Sequence, residues 1–159
     1  MTWSIVARDP ATGAFGVAIA TKFFAVGSLC PHAASGIGAL STQALVNPLW
    51  GRRGLALLAE GMPAAEVVAR LVAEDEGRAH RQLHMVDAAG RTASHTGAAC
   101  IGWCGGVAGE GFSVAGNMLE GESVVTATAA AYRRTEGPFA ARLLAALEAG
   151  EAEGGDMRG

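Results

Sequence analysis

TWSIVARDPATGAFGVAIATKFFAVG, residues 2–27, reads as a β-hairpin, and the rest of the chain is arranged around it. Trp3 to Ala7 is a run rich in β-formers. Asp9-Pro10-Ala11-Thr12-Gly13 supplies turn chemistry of three kinds: local hydrogen bonding from Asp, a preset φ from Pro, and tolerance of positive φ from Gly. Phe15 to Thr21 is a second apolar strand, and Lys22 sits where it ends. A hairpin of two such arms brings its free ends together. Thr2 and Lys22 are therefore expected to be neighbours, one offering a hydroxyl and the other an ammonium.

Lys22 has a further claim to notice. Of the 12 basic residues eleven are Arg, and it is the single Lys. Lysine is a compact point charge that changes its pKa on burial, which the guanidinium does not. Either the position needs that property, or it holds the one Lys by chance.

Downstream, Ser28 to His32 reads as a loop or short strand with Pro31 at a break or an edge, and Ile37 to Leu45 as a third strand. Asn47-Pro48 has the form of a helix start, cap followed by Pro at the first helical position, leading to a stop at Gly61. Met62-Pro63 opens a second helix, closed by Glu74-Asp75-Glu76. Gln82 to Val86 and Arg91 to Thr96 alternate with period two around the turn Asp87 to Gly90, a second hairpin. Ala99 to Trp103 and Gly111 to Asn117 are expected as short strands joined by a Gly-rich connection, Gly105 to Gly109. Val124 to Thr135 and Phe139 to Glu148 read as two amphipathic helices broken at Gly137-Pro138, before a polar, Gly-rich tail. Strands, two helices, strands, two helices: two sheets packed face to face, each covered by a helix pair, would bury every apolar face.

Composition bounds the function. The 159 residues fit one domain, residues 1–159, with 50% hydrophobic and 17% charged residues, a balance of burial rather than disorder. A net charge of −3 with only isolated Arg pairs gives no basic face for nucleic acid. No signal peptide is expected before the first strand, and no apolar run is long enough for a membrane span. Three cysteines, Cys30, Cys100 and Cys104, suit a reducing compartment, and a cytoplasmic location is expected. Cys100 and Cys104 with His80, His84 and His95 make a poor metal set, since a C-x3-C spacing lacks a matching second pair. The run Gly102 to Gly111 lacks the Lys-Ser/Thr of a phosphate loop. No metal and no cofactor is expected. His84 and His95 read as half-exposed sheet residues.

The segments TWSIVARDPATGAFGVAIATKFFAVGS, STQALVNPLWGRRGL, AHRQLHMVDAAGRTASHTGAAC, VAGNML and GGDMRG resemble the family known as domain of unknown function 1028, and the resemblance spans Thr2 to Gly159. That family is placed among the N-terminal-nucleophile hydrolases, so the resemblance implies an α+β fold, a four-layer αββα sandwich, and the chemistry of amide or peptide hydrolysis, with no particular substrate. It sets Thr2 at the nucleophile position of the first strand. Lys22 stands where the proteasome-like pattern has an acidic residue, Asn117 where it has a serine, and Asp156 where it has an Asp in a Gly-flanked loop. It also implies a further strand after that loop, which would be missing here.

The chemistry asked of these residues is specific. A threonine hydroxyl needs an adjacent base, and a free α-amino group, with a reference pKa of about 7.7 to 8.0, is one already attached to it. A nearby cation such as Lys22 would favour the neutral amine. All of this requires that Met1 be removed. Asn117 either donates its amide to an oxyanion or serves as a turn residue. Gln43 either faces the same cleft as a substrate contact or pairs within its sheet. Asn47 is either a substrate contact or a helix cap, and Asp156 either orients Thr2 or Lys22 or holds its loop. The function expected is an amide or peptide hydrolase acting on a small molecule or peptide, within a homo-oligomer. The alternative is a non-catalytic ligand-binding or assembly module on the same fold, with Trp3, Phe23 and Phe24 as interface anchors.

Overall fold

The computed structural model describes residues 2–158; expectations about Met1 fall outside that range. The fold is α+β, with two antiparallel four-stranded sheets and four α-helices among the described residues. One sheet has β1 (Thr2–Arg8) at its centre, beside β2 (Phe15–Ala20) on one flank and β8 (Phe112–Leu119), then β7 (Trp103–Gly109), on the other. The second sheet runs β3 (Pro31–Ala34), β4 (Gly38–Ala44), β5 (Arg81–Asp87), β6 (Thr92–Thr96). The opening hairpin forms as expected, with Trp3 opposite Ala20 and Arg8 opposite Phe15. Pro31 takes the first position of an edge strand, where its missing N–H costs no ladder bond.

Period-two alternation divides each central strand between two environments. Trp3, Ile5 and Ala7 of β1, with Phe112 and Val114 of β8, pack against Val124, Val125, Ala129 and Tyr132 of α3 (Glu122–Arg134) and Leu143 and Ala146 of α4 (Phe139–Ala152). Leu40, Leu83 and Met85 of the other sheet pack against Trp50, Leu57 and Leu58 of α1 (Pro48–Ala59) and Val67, Val68 and Leu71 of α2 (Ala64–Ala73). The intervening residues of each strand face the opposite sheet. At one end of that seam they are apolar, Val6, Ala39 and Val86 with Phe15 and Val17 beside them. At the other end they are polar.

Two local expectations change. The Gly-rich segment is itself strand β7, and Ala99 to Gly102 is loop. A Cβ on Gly106 would lie 2.5 Å from the Val114 carbonyl oxygen, so glycine there lets two backbones pair at a distance no side chain allows. The last helix continues to Ala152, passing through Gly150. None of the described helices is long and apolar enough to cross a membrane.

Candidate functional site

The polar end of the seam opens at the start of β1. Thr2 lies opposite Asn117 of β8, and its hydroxyl donates to Thr21 Oγ1 at 3.2 Å. Thr2 is 6% exposed. It nonetheless lines a pocket of about 330 Å³, whose other walls come from Phe23, Val26, Leu29 and Cys30 and from Ala44, Leu45, Val46 and Pro48. A second pocket of about 310 Å³ holds Asn117, with His80, Cys100, Ile101 and Met118. Ala44 and Leu45 line both, so the two pockets adjoin. Among the described residues the non-glycine positions with positive φ are Ala25, Ala44 and Met118, at 54°, 67° and 55°. All three lie in or beside these walls, and backbone held in that region persists only where its surroundings enforce it.

Beneath the pockets, a hydrogen-bonded chain joins the two sheets. Ser4 Oγ donates to Gln43 Oε1 at 2.7 Å and lies 2.7 Å from His84 Nε2. Ser41 Oγ donates to the same Gln43 oxygen at 3.0 Å. Gln43 Nε2 donates to Gln82 Oε1 at 2.8 Å and to the Ala115 carbonyl at 3.0 Å. Gln82 Oε1 also accepts from Asn117 Nδ2 at 3.0 Å, while Gln82 Nε2 donates to the Gly116 carbonyl and Thr96 Oγ1. His84 Nδ1 lies 3.2 Å from Ser113 Oγ. One imidazole proton, on Nε2 and given to Ser4, leaves Nδ1 to accept from Ser113, so a neutral ring suits both contacts.

His84 is fully buried, which corrects the reading of it as a half-exposed sheet residue. Burial, the dominant cause, pushes its pKa down to about 3, with the Ser113 backbone pulling the other way to a smaller extent. His95 does remain partly exposed, edge-on to Trp50. Gln43 has both amide hydrogens and both oxygen acceptor sites engaged, so it holds the two sheets together. Through Gln82 it also fixes the side chain of Asn117. Ser4, Gln82, His84 and Ser113 are thus structural partners of the site that strand alternation alone does not mark out.

Lys22 follows Thr21, the hydrogen-bond partner of Thr2, and its Nζ donates to the Arg158 carbonyl at 3.1 Å. Asp156 forms a bridge with Leu119 at the end of β8 and receives Arg158 through two side-chain bonds of 3.0 and 2.8 Å. The Arg158 side chain, then backbone amides of Arg158 and Lys22, hold the Asp156 carboxyl down at about 2 against the opposing effect of burial. Lys22 and Asp156 are therefore brought together, at the same end of the sheet as Thr2. Asn47 is occupied otherwise: its side-chain oxygen caps α1 by accepting from Leu49 N, and its Nδ2 donates to Asp75 Oδ2 at 2.7 Å. Among the described residues, no group of three or more His, Cys, Asp or Glu could hold a metal ion.

A two-sheet α+β core with a threonine opening its central strand defines the class of architecture. The chain belongs to the Family of unknown function (DUF1028), whose family model matches residues 2–159. It is similar to a crystal structure of a protein from Silicibacter pomeroyi placed in the same family, with a TM-score of 0.92 and 36% identity, over 95% of this chain and 70% of that one. No curated protein matches it.

Proposed function

We propose that the protein is an amide or peptide hydrolase of the N-terminal-nucleophile type, with Thr2 as the attacking residue. In this reading, helix pair, sheet, sheet and helix pair are the four layers of an αββα sandwich. One observation carries the reading: the first residue of the central strand is a threonine that lines a pocket and lies directly across the ladder from an asparagine amide.

Once Met1 has been removed, the α-amine of Thr2 takes the hydroxyl proton as Oγ bonds to the substrate carbonyl carbon. The C=O electron pair moves onto oxygen. One Asn117 amide hydrogen serves Gln82; the other stabilises this oxyanion. Collapse breaks the C–N bond, and the leaving amine departs with the proton the α-ammonium returns. Water then attacks the threonyl ester by the same proton path, releasing the acid and restoring Thr2. Lys22 adds positive charge near the amine, favouring its neutral form, and Asp156 with Arg158 keeps the end of the sheet in place.

The test is intact-mass analysis after incubation with a β-lactone, an acylating amide mimic. The expected product is a single adduct on a chain that has lost Met1, absent from Thr2→Ala. An adduct that survives in Thr2→Ala, or none at all, would remove the proposal.

A second reading, a non-catalytic assembly module, is favoured by one observation. Phe23 and Phe24 are 54% and 91% exposed beside the same pocket, and aromatic side chains are enriched at protein interfaces.

A further inference from the structure

We infer that the substrate presents a neutral, apolar acyl group to the pocket containing Thr2, and that acyl groups bearing a charge are rejected there. This inference rests on the reading of Thr2 as nucleophile and adds the chemical class on which it acts. Of the two adjoining pockets, Thr2 lines one and Asn117 the other. A carbonyl attacked by Thr2 sits at their junction over Ala44 and Leu45, with its acyl group on the nucleophile's side.

The walls on that side come from Phe23, Val26, Leu29, Cys30, Val46 and Pro48. Among the described residues, no Asp, Glu, Lys or Arg lines this pocket. The one titratable side chain among the described lining residues is Cys30, buried, with its thiol pushed up to about 11 by desolvation, so it is neutral at ordinary pH and supplies no counter-charge. A carboxylate or ammonium buried here would lose water and gain no charged side chain from the walls, a cost of several kcal/mol. An aliphatic or phenyl group would gain from burial. The pocket's 330 Å³ is at the small end of the roughly 300–1,000 Å³ typical of ligand sites, enough for a group of leucyl or phenylalanyl size.

The backbone supports this placement. Ala44 forms the shared wall with φ at 67°, and the segment after it carries Val46 into the pocket.

The inference is tested with N-acetylated aminocoumarin amides of alanine, leucine, phenylalanine, aspartate and lysine. Leucyl and phenylalanyl amides are expected to exceed aspartyl and lysyl amides by at least about 100-fold in kcat/KM, the lower bound for burying an unpaired charge. Val46→Trp, which fills the pocket, should move the preference from leucyl towards alanyl. Turnover that depends on Thr2 yet favours the charged amides overturns the inference and leaves the nucleophile reading intact. Absence of both turnover and β-lactone adduct removes the nucleophile reading instead. The pocket chemistry is then judged by calorimetric binding of N-acetyl-leucinamide against its aspartyl and lysyl counterparts to Thr2→Ala. Tighter binding of the leucyl compound supports the inference, and equal or weaker binding overturns it.

Discussion

Acid should loosen this protein from its centre before its carboxylates are affected. His84 has an ordinary value of 6.5 in the unfolded chain and about 3 in the fold. Between those values the unfolded state binds one more proton than the folded state, so stability rises with pH across that window and is flat above it. Each pH unit below 6.5 therefore costs about 1.4 kcal/mol, or about 2.7 kcal/mol by pH 4.5. That is a large share of the roughly 5–15 kcal/mol by which most domains are stable. The carboxylates held low, Asp9, Glu74, Asp75 and Asp156, have ordinary values of 3.8 to 4.5 and act with the opposite group chemistry at lower pH. Their stabilisation is present above those values and is lost as pH falls below them, so the interval between about pH 6.5 and 4.5 isolates the histidine. Urea denaturation across that interval, in the natural chain and in His84→Gln, measures the effect. The natural chain should lose stability with the stated slope. The variant should be weaker at neutral pH, having lost a fitted member of the seam, but should lack that part of the slope. Because His32, His80 and His95 are common to both, parallel curves would refute the claim that His84 is buried neutral.

Two substitutions test the backbone. Gly150→Ala improves intrinsic helix propensity by about 1 kcal/mol, yet its Cβ would stand 2.3 Å from Thr128 Oγ1 and 2.8 Å from Trp3 Nε1; thermal denaturation should show a net loss of about 1–2 kcal/mol from overpacking, and a rise in Tm would contradict the close approach of α4 to β1. Ala44→Gly should have the opposite sign, a gain of about 0.5–1 kcal/mol as the left-handed strain at φ 67° is relieved against the entropy cost of glycine; destabilisation would show that the strain is not there.

The hairpin, the capped helix at Asn47-Pro48 and the second hairpin were legible because their signals are local: β-formers bounded by turn residues, and a cap with Pro beside it. The segment after Thr96 was not. Its glycines suggest a turn when only propensity is considered, whereas β7 pairs with β8 from Trp103 to Gly109, and glycine at Gly106 is what lets the partner carbonyl come so close. The last helix runs on past Glu148 through Gly150 for a related reason. The missing Cβ of Gly150 makes room for Trp3 and Thr128, a requirement set by elements more than a hundred residues and about twenty residues away respectively. In both cases tertiary contact overrides a local preference, and single-residue propensities carry no record of that contact.

For the site, the legible part was the meeting of the opening hairpin's two ends, and the illegible part was the use made of the space between sheets. Alternation states that Ser4, Gln43, Gln82 and His84 point away from the helices, and the usual reading of polar residues on a strand is that they face water. Here they face one another. Each would be costly alone in a buried seam, and each becomes tolerable because the others supply its donors and acceptors. That mutual dependence makes the seam rigid at its polar end, and Asn117 is fixed through Gln82 next to the strand position of Thr2. A hydrolase requires its oxyanion donor to be held before the substrate arrives. A buried polar chain extending from the candidate donor towards the core meets that requirement at the expense of acid stability, so the groups that would prepare the site are also those through which a fall in pH would unfold it.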